Sequence, residues 1–187
     1  MTRESIRICG VDPGIAGAIA LVVVRHPVAT LEHVERMPVR QTAAGMRLTD
    51  SEALRAMLDG MRPDLVVMER QAPRPGNAAS AMFTAGMMFG TALEAVLARG
   101  SRLKLIVPTV WKRRVGLLHR PKADAVAVAT ELFGISPLLV AARGVRTKDH
   151  VIAGAEAALM AWSVTLAPPG RRRATADHAA LASAVQE

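Results

Sequence analysis

The chain has 187 residues, 51% of them hydrophobic, and its 24 Lys and Arg against 16 Asp and Glu leave a net charge of +8. That length and apolar content fit one globular domain with a substantial core and exclude a disordered chain. Cys9 is the only cysteine, which excludes an internal disulfide and a cysteine-based zinc site and suits a reducing cytoplasm, and neither a signal peptide nor an apolar run long enough to cross a bilayer is expected.

Ile6 to Val11 reads as a buried strand that runs into Asp12. Pro13-Gly14 turns the chain, and Gly17 to Val24 reads as the next strand. Leu31 to Met37 alternates apolar and polar residues and predicts a third, edge-ward strand. Asp50 to Met61 carries Ala53, Leu54, Met57, Leu58 and Met61 at helical spacing, with Thr49 or Asp50 as N-cap. Leu65 to Met68 is short and apolar, a buried strand that ends on Glu69. A Pro- and Gly-rich loop, Gln71 to Asn77, leads into a long helix from Ala78 to Ala98, with an interruption expected near Gly86. Leu103 to Val107 predicts a further strand, Pro108-Thr109 a short helix through Trp111, and Ala123 to Phe133 another helix. Ser136 to Lys148 is irregular and basic, and Asp149 to Val164 is the last helix. Pro168-Pro169-Gly170 and Arg171-Arg172-Arg173 mark a boundary, with a domain over 1–166 and a basic, Ala-rich tail over 167–187. Hairpins first and crossovers later predict an α/β fold, a mixed five-stranded sheet flanked by helices.

The first and fourth strands both end in an acid, so Asp12 and Glu69 meet if these strands are neighbours. The last helix offers Asp149 and Glu156, seven residues apart and so on one face. Glu156 lies among Gly154, Ala155, Ala157 and Ala158, an apolar setting that is costly for a carboxylate unless a cation compensates it. Plainer readings stand beside these: Asp149 as a helix N-cap, Glu156 paired with a surface Arg, His150 as a capping histidine. Basic residues crowd the second half, with Lys112, Arg113 and Arg114 contiguous and Arg120, Lys122, Arg143, Arg146 and Lys148 after them. A polyanionic partner fits this balance; so does an Arg-rich protein from a high-GC genome. Clustered carboxylates hold Mg²⁺ through oxygen, and two such ions about 4 Å apart can activate water and stabilise the leaving oxygen of a phosphodiester. A metal-dependent nuclease is the simplest reading of a basic protein with such a cluster.

Four segments, GVDPGIAGAIAL, VVMERQAPRPGNAASAMFTAGMMFG, IVPTVWKRRVGL and AEAALMAW, resemble in order the RuvC-type Holliday junction resolvases, in particular their phage-like and organellar-type branch. The similarity spans roughly residues 6 to 163. It implies an RNase H-like fold, a homodimer with no membrane association, and nicking of four-way DNA junctions in the cytoplasm, at nucleoid or viral DNA. It also implies Mg²⁺ as cofactor, with Mn²⁺ as a substitute, at two ions per site. On matching positions Asp12, Glu69 and Glu156 are catalytic metal ligands. The family's other helix carboxylate or histidine lies nearer to the last acid, where this chain has Ile152 and Ala153. Asp149 is therefore taken as the fourth catalytic and metal-binding residue, with His150 as the second choice. The resemblance places Arg74, Asn77 and Phe83 at the junction centre, with core packing as the other reading of Phe83. It places Lys112, Arg113, Arg114 and Lys122 against phosphates, and Trp111 is expected in the core. Three rivals remain: an actin-like or sugar-kinase ATPase, a junction binder without catalysis, and a nuclease for other branched DNA or RNA–DNA hybrids. The first needs a second phosphate-binding domain for which the chain is too short.

Overall fold

Strand β1 (Ile6–Val11) pairs antiparallel with β2 (Ala18–Arg25), which pairs antiparallel with β3 (Val28–Arg36). The computed structural model describes residues 5–43, 45–73, 76–134 and 148–166. On the other side of β1 lie β6 (Leu65–Glu69) and then β7 (Leu103–Ile106), both in parallel pairing. The order β3-β2-β1-β6-β7 is the mixed five-stranded sheet that the pattern predicts. A separate two-stranded ribbon, β4 (Val39–Gln41) with β5 (Arg47–Thr49), was not expected; strands of three residues have no periodicity to read.

The sheet is covered on both faces, and strand alternation sorts its residues between them. Cys9, Val11, Ile19, Leu21, Val23, Val66 and Met68 pack against helices α1 (Ser51–Met61) and α2 (Ala79–Ala98). Ile8, Ala20, Val22, Leu65 and Val67 face α3 (Pro108–Arg114), α4 (Asp124–Phe133) and α5 (Lys148–Ser163). Burial pushes the Cys9 thiol upward, which makes it an inert core side chain. Asp50 is the N-cap of α1: its Oδ1 accepts from Ala53 N at 3.0 Å. Thr49 instead donates its hydroxyl to the Met88 carbonyl at 3.1 Å and ties the ribbon to α2.

Two expectations are corrected by α2. The helix runs unbroken through Gly86, because one exposed glycine costs about 1 kcal/mol of helix propensity and 20 residues rich in Ala, Met and Leu absorb it. It is also long and apolar enough, by length and composition, to cross a membrane, contrary to the reading that no such run exists. In this fold it is the crossover between the parallel neighbours β6 and β7, and Ala92, Ala95 and Val96 bury against the sheet. The irregular segment expected at 136–148, with Arg143 and Arg146, lies outside the described residues up to 147, as do Arg74 and the tail at 167–187.

Candidate active site

Alternation along β1 and β6 determines where the two strand-end acids point. Ile8 and Gly10 face α5, so Asp12 continues that face; Leu65 and Val67 do the same for Glu69. Val11 pairs with Met68 in parallel register, and one step further places Asp12 beside Glu69. Backbone bonds clamp the turn after Asp12. Asp12 N donates to the Ala18 carbonyl at 2.9 Å, and Gly14 N donates to the Asp12 carbonyl at 3.0 Å.

The third acid arrives because α5 can touch the sheet. A Cβ on Gly10 would stand 2.0 Å from the carbonyl oxygen of Ala157, so only glycine admits the helix at this distance. Glu156, the neighbour of Ala157, is thereby held near Asp12 and is 8% exposed. Asp12, Glu69 and Glu156 line one cavity of about 420 Å³ with Gly14, Asn77, Lys112 and Lys122. Its other walls are the loop residues Gln71, Ala72 and Pro73 and one side of α2, where Met82, Ala85, Gly86 and Phe89 stand.

The electrostatics follow from this crowding. Burial, reinforced by the Glu69 and Glu156 carboxylates, pushes the Asp12 carboxyl up to about 7, against partial relief from Lys122 and Lys112. Lys112 Nζ forms an ion pair with Glu156 Oε1 at 2.8 Å and lies 5.1 Å from the centre of the Trp111 ring. Trp111, fully buried as expected, donates its indole N–H to Glu69 Oε2 at 2.8 Å.

Asp12, Glu69 and Glu156 fit a hard divalent cation in donor chemistry: three carboxylates at one cavity, with the repulsion on Asp12 that a cation would relieve. Among the described residues no three Asp, Glu, His or Cys side chains are gathered tightly enough to enclose an ion as they stand. In this arrangement the cation beside Glu156 is the Lys112 ammonium.

The proposed fourth ligand lies elsewhere. Asp149 is exposed in the first turn of α5 and does not line the cavity. Seven helical residues put it on the side of Glu156 but also about 10 Å along the axis. His150 is held below its usual range by burial and by the Arg36 guanidinium, a neighbour on the β3 side, and it does not line the cavity either. Ile152 and Ala153 are buried in the core.

Of the candidate DNA contacts, Asn77, Lys112 and Lys122 border the cavity. Arg113 is exposed beside it in sequence, whereas Arg114 donates to the Ser163 carbonyl at 3.3 Å and ties α3 to the end of α5. Phe83 is 66% exposed, which rules out its reading as a core residue, and it lies outside the cavity lining. Sequence reasoning missed the α2 wall and the bond from Trp111 to Glu69. The one available signal for the latter is general: a buried indole has a single donor and needs an acceptor.

No family model and no curated protein matches this sequence. Solved structures do. The chain is similar to Thermus thermophilus RuvC in complex with a Holliday junction substrate, at 18% identity and a TM-score of 0.57, over 84% of this chain and 93% of that one. It is similar to Thermus thermophilus RuvC alone at 18% identity and a TM-score of 0.55, over 84% and 92%. The yeast mitochondrial Holliday junction resolvase Ydc2 follows at 17% identity and a TM-score of 0.51, over 84% and 79%. These neighbours are Holliday junction resolvases, and the chain shares their RNase H-like fold.

Proposed function

We propose that this protein is a structure-selective endonuclease that nicks four-way DNA junctions with the help of divalent metal ions. The observation that carries the reading is the meeting of Asp12, Glu69 and Glu156 in one cavity bordered by Lys112 and Lys122. The three carboxylates would hold Mg²⁺ or Mn²⁺, and the ion would supply Lewis-acid charge for water attack and for the leaving oxygen. Lys112 and Lys122, which line the cavity, would bind phosphate oxygens, and Asn77 would contact the strand entering there. Selection of a junction would rest on DNA deformability rather than on base contacts.

A four-way junction is symmetric and paired nicks need two sites, so a homodimer is part of the proposal. The outer side of α2 supports it: Phe83 and Leu97 are 66% and 56% exposed, and a Cβ on Gly90 would meet nothing within 4 Å. A junction binder without catalysis is the second reading, favoured by the buried Ile152 and Ala153 where the resolvase pattern has an acid or histidine.

The test is a synthetic cruciform labelled on each of its four strands, incubated with and without Mg²⁺. The proposal expects symmetrical nicks in two opposed strands, only with Mg²⁺, and none from Asp12→Asn. Tight junction binding with no nick at any Mg²⁺ or Mn²⁺ concentration would establish the binder instead.

A further inference from the structure

Two consecutive residues of α3 grip two of the three site carboxylates. Trp111 donates its N–H to Glu69 Oε2 at 2.8 Å, and Lys112 pairs with Glu156 Oε1 at 2.8 Å. The Lys112 ammonium also lies 5.1 Å from the Trp111 ring centre, within the range of a cation–π contact. Trp111 is 0% exposed, so its ring cannot turn to another partner without opening the core, and its N–H has no water to fall back on.

We propose that Trp111 is a positioning residue of the metal site: its N–H fixes the Glu69 carboxylate, and its face seats the Lys112 ammonium at Glu156. The inference rests on the nuclease reading and deepens it. Glu69 ends a strand, and a charge-assisted bond from a buried, immobile donor fixes the direction of one carboxylate oxygen and occupies one acceptor position. Partners of this kind set ligand orientation, and their loss costs roughly 10- to 100-fold in metal affinity or activity. The ring acts on the other acid as well. By holding the ammonium against Glu156, it keeps a cation beside the carboxylates in the metal-free protein, so removal of the N–H and removal of the ring have separable effects.

The test uses the full chain with Trp162→Phe, which leaves Trp111 as the only indole, in three forms. The first keeps Trp111, the second carries Trp111→Phe, and in the third Trp111 is replaced biosynthetically by β-(3-benzothienyl)alanine, which keeps the shape of the ring and exchanges N–H for sulfur. Mn²⁺ binding is measured without DNA from the free-ion electron paramagnetic resonance signal. Cleavage of a labelled four-way junction is measured against Mn²⁺, and junction affinity in EDTA. The benzothienyl form is expected to bind Mn²⁺ roughly 10-fold more weakly and to need correspondingly more Mn²⁺ for half-maximal cleavage. Its thermal stability and its junction affinity in EDTA should match the native form. The Trp111→Phe form should lose further cleavage through Lys112. The indole emission of the native form should shift on Mn²⁺ addition and in Glu69→Gln. A benzothienyl form with native Mn²⁺ affinity and native cleavage overturns the inference and leaves the nuclease reading standing. A native form that neither binds Mn²⁺ nor cuts overturns both.

Discussion

Helices α5 and α2 are written in nearly the same alphabet and do opposite things. Both are rich in Ala, interleave it with Gly and Met, and carry a single Glu. In α5 every residue from Ile152 to Ala161 is buried, and its small side chains let the backbone touch the sheet. In α2 only Met88, Ala92, Ala95 and Val96 are buried, and the space beyond Gly90 is open. The fates of the two acids follow. Glu156 is trapped at the sheet end beside Lys112, whereas Glu94 reaches a surface Arg55 at 3.4 Å, a pair worth about 1 kcal/mol or less. Small residues on a helix therefore announce a close approach without saying by what. In α5 the partner is the sheet, and the contact delivers Glu156 to the cavity; in α2 the partner under the proposal is a second copy of the chain.

The sharpest way to break this contrast is to neutralise each Glu. Glu156→Gln should cut junction cleavage roughly 1000-fold or more, because several kcal/mol of transition-state charge stabilisation depend on the metal site. Glu94→Gln should leave the rate within about twofold, since the exposed pair is weak. Comparable rates from the two variants, measured on the same labelled junction, would show that buried Glu156 is as incidental as Glu94.

A smaller effect tests the contact itself. Gly10→Ala drives a methyl into the Ala157 carbonyl, backbone that has no rotamer to yield. The expected loss is roughly 1–3 kcal/mol of stability by chemical denaturation, with cleavage reduced because Glu156 moves with the helix. An unchanged denaturation midpoint would mean that α5 does not sit on Gly10.

Next comes the pH dependence of the metal-free protein. The folded state holds the Asp12 proton up to about pH 7, while the unfolded chain releases it near 3.8. This group thus favours the folded state at low pH, and its contribution falls as pH rises between those values. Asp12→Asn should therefore melt above the native protein at pH 8, on the order of 5 °C, with the gap closing towards pH 4. Added Mg²⁺ should raise the native melting temperature and leave the variant unmoved.

The smallest effect is expected on α2. Gly90→Ala meets open space and removes a helix-weakening glycine, so the fold should gain up to about 1 kcal/mol. If the open side is the contact between copies, the same methyl should weaken self-association in sedimentation equilibrium. A variant that is more stable and equally dimeric would move the interface elsewhere.

What could be read in advance divides along local and tertiary lines. Asp12 and Glu69 were legible because each closes an apolar run, a signal contained in a few neighbouring residues. Glu156 was legible as a charge among alanines. Asp149 misled because seven-residue spacing reports the angle around a helix and not the distance along it. The break expected at Gly86 overstated a glycine in an exposed helix interior. The bond from Trp111 to Glu69 joins residues 42 positions apart, and no local pattern announces it. Phe83 defeated hydropathy altogether: a large apolar side chain on an apolar helix stands 66% exposed, because that side of α2 faces away from the chain's own core.

Everything in the functional reading depends on Asp12, Glu69 and Glu156 sharing a cation. A crystal of the protein soaked in Mn²⁺ and measured at the manganese absorption edge asks this directly. The account predicts an anomalous peak within bonding distance of carboxylate oxygens from Asp12 and at least one of Glu69 and Glu156, with the Lys112 ammonium displaced from Glu156. A cavity without a manganese peak at saturating Mn²⁺, with the ion pair between Lys112 and Glu156 intact, would contradict it.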